Sequence, residues 1–264
     1  MGSEMCIRDS DQEERAYRDL AARQSVDGVI VHGPLVTDAR MELLSEIGLP
    51  FVVHGRTGED GGAYSWVDIE NRRAFQRATE LLIDLGHRRI GLINGREEMA
   101  FTHRRRNGYE AALRARGISV DHALIRSGEM MEPYGYSSVR EMLALPERPT
   151  AFLVASIIPA IGARRAIQEA GLTLGRDISV VIHDDELSYL NTGGDVPMFT
   201  ATRSSVRAAG QRCAEILMDL IEGRCVGPQH ELWEAQLVMG ASTCLLYTSP
   251  SPRDLSTSRM PSSA

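Results

Sequence analysis

The chain is expected to fold as an α/β protein built on parallel sheets. Short β-branched apolar runs alternate with segments of helical period, several helices close on a glycine, and one late strand runs into a group of acids at its carboxyl end. A length of 264 residues, 43% of them apolar and 25% charged, suits a globular protein of one or two domains with a substantial core.

Taken in order, "VDGVIVHG" at 26–33 is the first compact strand. In the following "DARMELLSEIG", Met41, Leu43, Leu44 and Ile47 lie at helical spacing and Gly48 stands at the usual stop. "LPFVVHG" is the next strand, and "NRRAFQRATELLIDLG" is a helix with Phe75, Ala78, Leu81, Leu82 and Leu85 on one face and Gly86 at its end. The strand "RIGLING" leads to a helix "GYEAALRARG" and a second, "GYSSVREMLAL", stopped by Pro146. The strand "TAFLVAS", helix "PAIGARRAIQEAG", strand "DISVVI", helix "SSVRAAGQRCAEILMDLIEG" and a final strand near "ELWEAQLV" complete the alternation. No internal repeat is apparent.

Composition excludes several classes of function. A net charge of −7 offers no clustered positive field for nucleic acid on this chain itself. No apolar run approaches the roughly 18 residues of a membrane helix. Cys6, Cys213, Cys225 and Cys244 stand far apart with no CxxC, so they are read as reduced thiols, with no metal site and no disulfide framework. No spacing calls for a cofactor, and no nucleophile elbow or phosphate loop points to an enzyme. The two ends, 1–10 and 244–264, lose the apolar periodicity and resemble translated sequencing-adapter DNA, so they are set aside as non-native.

The acids of "SVVIHDDELS" at 179–188 pose the functional question. Ligands of open parallel sheets bind at the carboxyl ends of strands, where these acids fall. A metal would need further converging ligands, and glycosidase chemistry would need carboxylates facing one another across a bond, which neighbours on one chain do not provide. Asp184 is singled out as a ligand-gripping group, while Asp185 and Glu186 are read as helix-capping or Asx-turn residues.

The segments "VDGVIVHGP", "LPFVVHGR", "LIDLGHRRIGLING", "RRRNGYEAALRARGI", "RPTAFLVAS", "DISVVIHDDE" and "TATRSSVRAAGQRCAEILMDLIEG" come in the order and near the spacing of one family. Over residues 11–243 the chain resembles the effector domain of the lac/gal repressor family of bacterial transcription regulators. That resemblance implies a type I periplasmic-binding-protein-like fold, with two Rossmann-like subdomains joined by three crossovers around a ligand cleft. The N-terminal subdomain would comprise 11–66 and 203–225, and the C-terminal one 67–202 and 226–243.

Carried over residue by residue, the resemblance puts Arg105, three before Gly108 in "RRRNGY", where the family holds ligand hydroxyls; a guanidinium presents a fixed fork of donors. Arg104 and Arg106 are read as solvated neighbours. Asp184 matches the hydroxyl-accepting aspartate, and Asp68 in "SWVDIEN" falls on a pocket position, a helix N-terminal acid being the other account of it. Arg56 in "HGR" and Ser156 after "FLVA" also fall on pocket positions. Phe101 and Trp66 are candidates to stack on a sugar face, with a place in the core as the plainer reading of each.

Departures from the family pattern carry information too. Ser156 and Ile157 stand where the family commonly has Asn-Asp, which removes a bidentate hydrogen-bonding pair. "VASIIPAIGARRAI" and "HDDELSYLNTGGDVPMFTATRSS" are similar to an α-glucoside-responsive branch. The family's helix-turn-helix, hinge helix and first strands are absent, so the N-terminal subdomain is expected to be incomplete, with open sheet edges and no operator binding by this chain alone. The implied function is a cytoplasmic, homodimeric repressor whose small-molecule sugar effector controls operator DNA through the missing domain. A secreted sugar-binding protein feeding a transporter is the alternative.

Overall fold

The computed structural model describes residues 10–58, 61–186, 196–224 and 227–246. Helix α1 (Ser10–Ala22) precedes strand β1 (Val29–His32), helix α2 (Arg40–Glu46), and strands β2 (Phe51–His54) and β3 (Ser65–Ile69). Helix α3 (Asn71–Asp84), strand β4 (Ile90–Asn94), helix α4 (Ala100–Ala115) and strand β5 (Ile125–Ser127) follow. Next come helix α5 (Glu132–Leu143), strand β6 (Ala151–Val154), helix α6 (Ile157–Glu169), and strands β7 (Ser179–Asp184) and β8 (Thr200–Arg203). Helix α7 (Val206–Ile221) and strands β9 (His230–Trp233) and β10 (Gln236–Val238) end the described chain.

Two sheets result. The first is all parallel, in the order β1-β2-β3-β9; the second runs β10-β8-β7-β6-β4-β5, parallel except for the antiparallel β10–β8 pair. On one face of the first sheet Met41 and Leu44 of α2 pack against Val31 and Val53, and on the other Ala209, Cys213 and Ile216 of α7 pack against Val52 and Val67. The second sheet is covered by α3 and α4 on one side and by α5 and α6 on the other, so its strands β4 and β6 are buried at every residue. Continuous apolar strands are what a sheet covered on both faces requires, and the α/β class holds.

Several elements differ from the expectation. Strands β3, β5 and β8 were not anticipated, being short and interrupted by Asp68, Arg126 and Arg203. Helix α4 begins at Ala100, eight residues before the expected start, so the arginines of "RRRNGY" are helical. The expected single strand "ELWEAQLV" is two: β9 pairs with β3 in the first sheet and β10 with β8 in the second. One straight strand cannot join both ladders, and the chain crosses between Trp233 and Gln236. The other crossings lie between β3 and α3 and between β8 and α7, so the third falls later than the expected boundary at 226.

At its outer edge β1 pairs with β2 alone among the described residues, and Ile30 is 42% exposed there. The adapter-like ends lie almost wholly outside the described residues; of them, Ser10 belongs to α1, and residues 244–246 lie against the second sheet through Cys244 N donating to Ser179 Oγ (3.1 Å) and Leu246 N to Leu85 O (2.8 Å).

Candidate functional site

A cleft of about 1190 Å³ opens at the carboxyl ends of both sheets' strands. Its walls include His32 and His54 from the first sheet, Arg105 and Phe101 from α4, and Asp185 just past β7. Ile69, Asn71, Ser204 and Val206, at two of the three crossings between the sheets, also line this space.

Arg105 is built in from its helix outward. Gly108, one turn later on the same face, lets α4 lie so close to α3 that a Cβ there would sit on the Arg72 carbonyl oxygen. That closeness brings Arg105 Nε to donate to Asn71 Oδ1 (2.7 Å) and Nη1 to the Ala155 carbonyl (2.9 Å). The guanidinium is also held between the rings of Phe75 (5.0 Å) and Phe101 (4.6 Å). Burial lowers its pKa to about 10, so it stays a cation at neutral pH. No hydrogen bond within the described residues uses Arg105 Nη2.

Asp68 lies inside β3, not at a helix start, and is buried. Its Oδ2 accepts from Arg56 Nε (3.0 Å) and lies 3.8 Å from Arg104 Nη1, and its Oδ1 accepts from the Ile69 N–H (2.8 Å). Burial pushes its carboxyl up, against the pull of Arg104 and Arg56. Arg104, expected to be solvated, is 6% exposed, and its Nη2 donates to the Arg56 and Gly58 carbonyls. A helix that buries Arg105 turns its sequence neighbour toward the first sheet, where an acid waits. Arg106 does face outward, paired with Glu110 (2.8 Å) and Glu97 (3.2 Å).

The acid pair takes the opposite roles from those expected. Asp184 does not line the cleft: Oδ2 meets Arg203 Nε at 3.0 Å and Oδ1 accepts from the Glu186 N–H (3.0 Å), the Asx turn assigned in advance to Asp185. Glu186 takes φ +53° in that turn, and Asp185, two residues after His183 and on the same side of the chain, lines the cleft. There Asp185 Oδ1 lies 3.2 Å from Nε2 of the fully buried His183. Burial raises its carboxyl, but the hydrogen bond from His183 and the charge of Arg105 outweigh it and bring the pKa down to about 2.

Desolvation lowers the pKa of His183, which makes it a neutral donor to Asp185 through Nε2 while Nδ1 meets Thr202 Oγ1 at 3.1 Å. Ser204 Oγ lies 3.2 Å from the same Nε2. Serine and aspartate thus share one ring nitrogen, whereas a relay from aspartate through histidine to a nucleophile needs both.

Of the six predicted site residues, Arg105, Asp68, Arg56 and Phe101 line the cleft; Asp184 and Ser156 do not. Ser156 is the N-cap of α6, its Oγ accepting from Ile158 N–H (3.4 Å). Trp66 belongs to the core of the first sheet and stacks on His230 with ring centroids 4.9 Å apart. His32, His54, Asn71, His183 and Asp185 were missed as site residues.

The family model for a periplasmic-binding-protein-like domain matches residues 79–243. The chain is 44% identical over 233 residues to the HTH-type transcriptional regulator AglR of Rhizobium meliloti (strain 1021), covering 88% of this chain and 65% of that protein. Among solved structures, a complex of the transcriptional regulator CelR with cellobiose superposes with a TM-score of 0.79 at 31% identity, covering 89% of this chain and 71% of that one. A regulatory protein of the LacI family from Chloroflexus aggregans superposes with a TM-score of 0.76 at 30% identity, covering 89% and 83%. The chain belongs to the LacI family, as its periplasmic-binding-protein-like effector domain. It spans just under two thirds of the length of AglR. The resemblance drawn from the sequence segments is borne out, and the relatives are regulators, not enzymes or transport proteins.

Proposed function

We propose that this domain is the sugar sensor of a cytoplasmic, homodimeric transcription repressor, with an α-glucoside as effector. Operator DNA would be read by a helix-turn-helix domain outside this chain. The observation that carries the reading is the cleft between two sheets, in which the cationic Arg105 and the ionised Asp185 lie beside the chain crossings. Ionised carboxylates accept from sugar hydroxyls and guanidinium N–H groups donate to them, and both gain strength in a desolvated site. Asp68 and Arg56, engaged with each other, would hold the shape of the first-sheet wall.

The α-glucoside class is supported by the segments similar to that branch; the cellobiose complex of the related CelR supports a disaccharide. A ligand that touches both walls binds the closed arrangement more tightly than the open one. That difference in affinity is the only means by which it can shift the heads of a dimer on their operator.

Calorimetric titration of this chain with maltose, trehalose, sucrose and cellobiose tests the reading. Saturable one-site binding of at least one α-glucoside, lost in R105A, is expected; four flat titrations of folded protein would overturn it.

A further inference from the structure

At the floor of the first-sheet wall, β1 and β2 end alike, in "VIVHG" and "FVVHG". The parallel register places His32 directly beside His54. Their Nδ1 atoms stand 2.9 Å apart, with ring centroids at 4.8 Å, and both residues line the cleft. Two nitrogens at that distance need one proton between them. One imidazole must then be the Nδ1–H tautomer, with a bare Nε2, and the other the Nε2–H tautomer, with a bare Nδ1. No hydrogen bond within the described residues reaches either Nε2.

We infer that His32 and His54 form a tautomer-locked pair that presents one acceptor and one donor nitrogen to two neighbouring hydroxyls of an uncharged ligand. The inference rests on the proposed sugar-binding reading and adds a recognition element to the first-sheet wall. A hydroxyl both donates and accepts, so two adjacent hydroxyls satisfy the two nitrogens together. A phosphate dianion, which only accepts, would satisfy the donor and set its charge against a lone pair and against Asp185. The pair thereby selects neutral sugars over sugar phosphates, although the nearby arginines would by themselves favour an anion.

The charges that face the pair are Asp185 from beyond β7 and Arg40 from α2. Desolvation by the cleft walls outweighs Asp185 and lowers both rings, His54 to about 4, so the pair is uncharged at neutral pH. A first proton would go to the bare Nε2 of the Nδ1–H ring, keeping the bond between the facing nitrogens but turning the acceptor that the pair presents into a second donor; only a second proton would break that bond.

Nitrogen-15 NMR of the imidazoles in the unliganded 264-residue chain at pH 7.5, with titrations of H32F and H54F, tests this. One Nδ1–H and one Nε2–H imidazole are expected, coupled through the shared hydrogen bond. Each variant, folded by its thermal melt, should bind the sugar that wild type binds about tenfold more weakly. Glucose 6-phosphate should bind wild type more weakly than that sugar does, and the gap should narrow in the variants. Two rings in the same tautomer would overturn the inference whatever binds. Unchanged affinity in both variants would overturn it while leaving the sugar-binding reading in place, and failure of wild type to bind any sugar would remove both.

Discussion

At the residue scale the two adjacent acids differ only in which side of the chain each takes. Asp184 neutralises Arg203 and shapes the turn, whereas Asp185 faces the cleft with its charge held by His183 and Arg105. D185N should therefore weaken sugar binding by about tenfold or more, the effect of removing a charged acceptor. D184N should cost less than half of that in free energy; titration calorimetry of the two variants side by side decides. The order of the pair was not legible in advance, because it depends on which face of β7 meets the cleft: Asp185 lies on the side of His183 and Asp184 on the other. The place of Arg105 was legible only through the family resemblance; the packing that puts it in the cleft, Gly108 admitting the neighbouring helix that orients it, shows only in the fold. The histidines were legible only in part. Two strands ending in His–Gly are plain in the sequence, but that they lie side by side depends on the β1–β2 register.

At the element scale, helix packing positions the site. Gly108 brings α4 onto α3, and Gly162 does the same for α6 on α5, where a Cβ would sit on the Glu132 carbonyl oxygen. Either alanine substitution must push two helices apart, with an expected loss of about 2–4 kcal/mol in urea unfolding. Only G108A should also weaken sugar binding, since α3 and α4 carry Asn71, Phe101 and Arg105 while α5 and α6 contribute no residue to the cleft. Equal affinity losses in both variants would mean that the cleft depends on overall stability and not on this helix pair. The long helices and apolar strands were readable because each repeats its period over several turns or is apolar throughout. Strands of three to five residues that contain a buried charge, such as β3 with Asp68, carry no such period. They exist because a neighbouring ladder completes them, which is also why the break between β9 and β10 was invisible.

At the scale of the whole molecule, three chain crossings and a cleft bordered by buried titratable groups tie stability to protonation. His54, His87 and His183 all have pKa values lowered by burial, His54 to about 4. His87 is enclosed at the base of the second sheet, its ring nitrogens 2.9 Å from Thr150 Oγ1 and 2.9 Å from Ser179 Oγ, a structural use of the "GHRRI" segment far from the ligand. A histidine whose folded pKa lies below its unfolded value of about 6.5 binds fewer protons folded than unfolded in the interval between them. Stability should then be level above pH 7 and fall as the pH drops from 6.5 towards 4. The carboxylate contribution has its own window: Asp185, at about 2, loses its stabilising ionisation only below the ordinary carboxylate range, near pH 4 and under. Urea midpoints at pH 8, 7, 6 and 5 should show a plateau followed by a decline, above the range in which Asp185 titrates. Because His54 and His183 both line the cleft, a saturating sugar should stabilise the chain most at neutral pH and progressively less on acidification, as protonation of the histidines competes with the ligand. A ligand-induced shift in melting temperature that stayed constant from pH 8 to 5 would mean that the cleft histidines and the bound sugar do not communicate.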